Sequence, residues 1–134
     1  MNDDYGAIST FNRYLKIDPN NYSFLIYRAL SKGKIRDLKG GLFDLNKAID
    51  IEPENEEAYL IRAFFKGELK DYYGAISDYN KSISINPKEG QNFFYRGRMK
   101  EKIYDRKGAC ADSRKALSLG YKNVDNQKLI EKNC

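Results

Sequence analysis

Apolar residues recur along this chain at three- and four-residue intervals, and the recurrence stops and restarts at regular points. Ala75, Ile76, Tyr79 and Ile83 make one stripe of a helix, opened by Asp71 and closed before Pro87. Just upstream, a second stripe sets the large Tyr59 one turn before the small Ala63, a pairing repeated by Leu25 with Ala29 and by Phe93 with Gly97. The pattern predicts helices over 4–17, 22–35, 38–51, 56–69, 72–85, 90–103, 106–119 and 124–133.

The punctuation is itself periodic, with a spacing of 34 residues. Asp3, Asp37, Asp71 and Asp105 form one column, and Gly6, Gly40, Gly74 and Gly108 another. Ala7, Gly41, Ala75 and Ala109 follow the glycines, and Pro19, Pro53 and Pro87 close the phrase. Each aspartate can cap the free N–H groups of a first turn and complement the helix dipole. Each proline bars the helix from continuing. The small residues let paired helices approach closely. Glycine inside a helix costs about 1 kcal/mol relative to alanine, so its recurrence implies a tight backbone contact or turn.

A helix–turn–helix unit of this length, with Tyr59, Ala63, Ala75, Tyr79, Ser82 and Pro87 in these places, resembles the tetratricopeptide repeat family. The resemblance covers three repeats, 22–55, 56–89 and 90–123, with a half repeat at 3–21 before them and a capping helix at 124–134 after, all in one domain. Gly41, Ser113 and Tyr121 depart from the family pattern, which favours alanine, an aromatic and proline there. The resemblance implies an all-α, right-handed α-solenoid of antiparallel helix pairs, about eight helices long, in which each repeat touches mainly its neighbours. It also implies a non-enzymatic scaffold that binds a protein or peptide segment on the face lined by the first helices.

Composition agrees with that class. The 134 residues can bury a core without staples, and the chain contains no histidine, which removes the commonest general base and neutral metal ligand. Two cysteines alone cannot build a structural zinc site, and no glycine-rich phosphate loop or nucleophile elbow is present, so neither enzymatic activity nor a cofactor is expected. No apolar run is long enough to span a bilayer, and no membrane partner is expected. The net charge of +5 is uneven: residues 1–87 carry 12 Lys+Arg against 13 Asp+Glu, and residues 88–134 carry 12 against 6. Phe93, Phe94, Tyr95, Arg96, Arg98, Lys100 and Lys102 interleave aromatic and basic side chains, as single-strand binders do, but the surplus is small and a nucleic-acid partner is disfavoured.

Two charged columns share the 34-residue spacing, Arg28, Arg62 and Arg96 with Asp44, Asp78 and Asp112. Because they travel together, ion pairs are expected rather than a ladder for anionic ligands. For the binding face, two columns should point inward: Ile26, Leu60 and Phe94, and Leu30, Phe64 and Arg98. Tyr27, Ile61 and Tyr95 lie beside them. Chaperone-binding members of the family use Lys, Asn and Arg to clamp a terminal carboxylate; the matching places here hold Ile26, Leu30, Ile61, Gln91 and Tyr95, so that partner class is disfavoured and an apolar groove edged by Arg98 is expected.

Both chain ends carry further expectations. Asp3 to Pro19 reads as a second helix without its partner, leaving Ala7, Phe11 and Tyr14 facing nothing; either the chain belongs to a longer array or this helix pairs with a second copy as a homodimer. Val124, Leu129 and Ile130 should cap the core, bringing Cys134 near Cys110. A buried and an exposed thiol in a reducing compartment is one reading, and it favours the cytoplasm for the chain as given. A disulfide is the other, since the tail resembles bacterial repeat proteins with a Gly-Ala-Cys-x-Asp start and a terminal Cys, some of them exported.

Overall fold

The computed structural model describes residues 3–134. They form eight helices: α1 (Asp4–Ile17), α2 (Tyr22–Lys34), α3 (Leu38–Ile51), α4 (Glu56–Glu68), α5 (Tyr72–Ile85), α6 (Gly90–Lys102), α7 (Arg106–Ser118) and α8 (Val124–Asn133). Each packs chiefly on its neighbours in sequence, with α2 also touching α4 and α6 touching α8, as a stack of helix pairs requires. Four of the predicted helices end a residue early. In α2, α4, α6 and α7, the expected last residues Ile35, Leu69, Ile103 and Leu119 are C-caps.

The glycine column is explained by the caps. Asp3, Asp37, Asp71 and Asp105 each accept the backbone N–H of the glycine three residues on, at 2.8–3.0 Å. A side chain at any of these glycines would collide with the capping carboxylate. The turn before each cap is also periodic. Arg36, Lys70 and Tyr104 take φ of +65°, +64° and +64°. There the N–H of Arg36 donates to the Gly33 carbonyl and that of Asp37 to the Lys32 carbonyl, the paired bonds of a Schellman turn on non-glycine residues.

The three departures from the family pattern each have a cause. Gly41 lies beneath the Phe65 ring, which also lies against Gly33; a methyl at Gly33 would sit 2.5 Å from Phe65 Cζ, and one at Gly41 would enter the ring. Ser113 is fully buried and its carbonyl accepts from the Asn126 amide of α8 at 3.1 Å, so its small side chain admits α8. Tyr121 follows a turn made by Gly120 at φ +90° instead of one made by proline, and its ring packs on Phe94 at 5.2 Å.

Two expectations about the ends are corrected. Phe11 does not face nothing: its ring stacks on Tyr27 at 5.8 Å and meets Phe24 at 6.1 Å, because α1 lies against α2. Tyr14 also reaches Phe24, at 5.2 Å, while Tyr5 and Ile17 remain exposed. At the other end Leu129 enters the core with Phe93, Phe94 and Ala116, but Val124 is exposed because it opens α8 beside the turn. Cys110 and Cys134 are joined as a disulfide, with Cα atoms 5.1 Å apart.

Candidate interaction site

The charged columns sit inside the scaffold. Arg28 of α2 donates to both carboxylate oxygens of Asp44 on α3, at 2.9 and 2.5 Å, and Lys32 adds a third bond at 2.9 Å. Arg62 and Lys66 hold Asp78 in the same way, as do Arg96 and Lys100 for Asp112. The remaining arginine nitrogen reaches back to the preceding second helix, where Asn12, Asn46 and Asn80 accept at 2.9 Å. Each arginine thus ties three consecutive helices together. The Asp78 hydrogen bond raises Arg62 above its ordinary pKa, against the lowering effect of burial. Sequence reading found the Arg and Asp columns but missed Lys32, Lys66 and Lys100 and the asparagines. All of these recur at the same spacing.

Of the residues expected on the binding face, Leu30, Leu60 and Phe64 come together. With Ile61, Gly33 and Phe65 they line an open cleft of about 360 Å³ between α2 and α4. Phe64 is 53% exposed and Leu30 37% exposed at its mouth. Lys34 and Arg36 edge it, and Arg36 is paired with Glu68 at 3.0 Å.

Ile26 and Phe94 correct the expectation. They are 1% and 3% exposed and belong to the core. Ile26 lies in the seam between α2 and α4, in one apolar cluster with Ala58 and Tyr59. Phe94 is packed with Leu129 and covered by Tyr121. Both side chains face the next first helix instead of open solvent. Tyr27 is exposed but stacks on Phe11, away from the cleft, and Tyr95 is half-buried between Tyr79 and Phe94.

Arg98 takes part in a second cleft, of about 210 Å³, between α6 and α8. Its guanidinium lies 5.8 Å from the Phe94 ring centre, and Glu101, Asp125, Lys128, Leu129 and Lys132 complete the lining. Lys132 pairs with Glu101. Among the described residues no three His, Cys, Asp or Glu side chains converge as a metal site needs, and no helix is long and apolar enough to cross a membrane.

Residues 56–89, the stretch of α4 and α5, match the tetratricopeptide repeat family. The chain thus contains a tetratricopeptide repeat. No curated protein matches it by sequence. Among solved structures it is similar to a crystal structure of MamA, at 21% identity and a TM-score of 0.93, over 98% of this chain and 77% of that one. It is also similar to the first such domain of Spaghetti (RPAP3) bound to the HSP90 peptide SRMEEVD, at 21% identity and a TM-score of 0.79, over 83% and 88% of the two chains. The domain of Arabidopsis OM64 aligns at 23% identity and a TM-score of 0.78, over 83% and 92%. At these identities the likeness shows the fold.

Proposed function

We propose that this chain is a protein-interaction scaffold, and that the cleft between α2 and α4 seats an apolar segment of another protein. The observation that carries this reading is the exposure of Phe64 and Leu30 at the mouth of a cleft floored by Leu60, Ile61 and Phe65. Apolar side chains gathered in a concavity, with backbone already fixed by a cap and an ion-pair clasp, are what a helix or extended segment needs to anchor on. Arg98 farther along the face, with no carboxylate partner among the described residues, favours an occupant that carries acidic residues beside its apolar anchors. The similar RPAP3 domain is solved with a bound peptide, which supports peptide capture by this fold without naming the occupant here.

Selection from a random-peptide library, followed by chemical-shift mapping of the enriched peptides, tests the reading. Enriched peptides should carry paired apolar anchors and perturb Leu30, Leu60 and Phe64. Perturbations confined to the opposite face would reject it. Self-association is the rival reading, favoured by exposed Tyr5 and Ile17 on α1; mass measured across a concentration series, with Ile17→Lys as control, separates the two.

A further inference from the structure

The cleft between α6 and α8 depends on a helix that is held differently from the rest. α8 stands where the first helix of a further repeat would stand, but lacks the packing residues of one. Gln127 takes the place of Leu25, Tyr59 and Phe93, and Glu131 that of Ala29, Ala63 and Gly97. Along its ten residues only Asn126 and Leu129 are buried. Its last turn is fastened by Lys132 to Glu101 and, through Cys134, by the disulfide to Cys110 of α7. Yet α8 supplies Asp125, Lys128 and Lys132, so the charged cleft exists only while α8 is seated.

The charges in that cleft are not all used. Arg98 and Lys128 have no carboxylate partner among the described residues, and Asp125 has no cationic one, which leaves two cations to one carboxylate. Arg98 is oriented by the Phe94 ring beneath it, and its donors are directed to no acceptor among the described residues. A guanidinium with its donors free suits a carboxylate. Two helix-to-helix steps of about 10 Å each separate the two clefts, roughly 20 Å, which about six residues of extended chain would span.

We propose that the α6–α8 cleft is a second subsite, for a carboxylate-bearing stretch of the segment seated in the apolar cleft, and that the Cys110–Cys134 disulfide controls it. The proposal rests on the reading of the apolar cleft given above. The control is thiol–disulfide exchange with a dithiol reductant. A reductant thiolate attacks the sulfur of exposed Cys134, the S–S bond breaks, and Cys110 leaves as a thiolate that takes a proton. The reductant's second thiol then displaces Cys134, leaving two protein thiols and one disulfide in the reductant. With its last turn unfastened, α8 opens at lower free energy than the helix pairs behind it.

The test uses the full chain, oxidised and dithiothreitol-reduced, with a Cys110→Ser/Cys134→Ser double variant standing for the reduced state. Hydrogen exchange is followed at residues 124–134, and a synthetic tri-glutamate peptide is titrated while side-chain signals of Arg98 and Lys128 are recorded. In the oxidised chain the peptide should shift both signals. Reduction should speed exchange in α8 by roughly tenfold or more, abolish those shifts and leave α2–α5 unchanged. Unchanged α8 exchange on reduction would overturn the control, as would an equal rise throughout the chain. Absence of shifts in the oxidised chain would overturn the subsite while leaving the apolar cleft, mapped separately with apolar peptides, untouched.

Discussion

The two clefts on the first-helix face occupy the same place in the repeat and have opposite chemistry. Leu30, Leu60 and Phe64 between α2 and α4 correspond to Arg98, Lys128 and Lys132 between α6 and α8. Beneath both lies the same clasp of Arg, Lys and Asp, at nearly the same distances. The repeat therefore fixes where a cleft forms, and the outward positions of the first helices decide what it accepts. Most of these side chains lie outside the buried core, so their chemistry can change without changing the repeat.

The sharpest contrast concerns two phenylalanines that the repeat spacing treats alike. Phe94→Ala should cost about 3–5 kcal/mol of stability, because it empties a buried position against Leu129 and Tyr121. Phe64→Ala should cost far less, being half exposed. Equal losses in urea melts would place Phe64 in the core and dissolve the distinction.

The clasps should behave alike under both clefts. Asp44→Ala and Asp112→Ala each strand an Arg and a Lys, and each should cost about 3–5 kcal/mol. A large difference between them would mean that the two halves are not held by the same device.

Next in size is Gly41→Ala. It should cost about 1–3 kcal/mol by forcing the Phe65 ring aside, and Phe65→Leu should recover much of that. The equivalent Ala75 and Ala109 are already tolerated, so this strain is confined to the apolar half of the face.

Alkali gives a smaller effect. Burial, reinforced by the Glu57 carboxylate, pushes the Tyr22 hydroxyl up to about 12, and burial raises Tyr79 as well. The unfolded chain ionises these phenols first, near pH 10, while the folded chain keeps them protonated. Their contribution is whole below pH 10 and is lost as pH rises toward and past 12, so the melting temperature should fall over that window. Smallest of all, Lys70→Gly should raise stability by up to about 1 kcal/mol by relieving a left-handed turn, and Tyr104→Gly should do the same beneath the charged half.

Much of the fold was legible because the repeat writes every scaffold contact three or four times. Asp71 and Gly74 announce a cap, Arg62 and Asp78 a clasp, and Tyr59 with Ala63 a helix seam. The site was less legible. Ile26, Leu60 and Phe94 share a column, yet Leu60 opens onto the apolar cleft while Ile26 and Phe94 are buried. Their burial is set by what the next first helix brings, Tyr59 for Ile26 and Leu129 for Phe94, and periodicity records the position without the partner. Gly41 made sense only with Phe65 in view, because a side chain from the following repeat fills its space.

The central claim, that the α2–α4 cleft is the seat of a bound segment, is tested most directly by comparing Phe64→Ala with Tyr59→Ala. For a library-selected apolar peptide, Phe64→Ala should weaken binding by about 2 kcal/mol, roughly 30-fold, with the melting temperature nearly kept. Tyr59→Ala, in the buried seam, should lower the melting temperature sharply. A Phe64→Ala protein that binds the peptide as tightly as the unaltered chain would contradict the account.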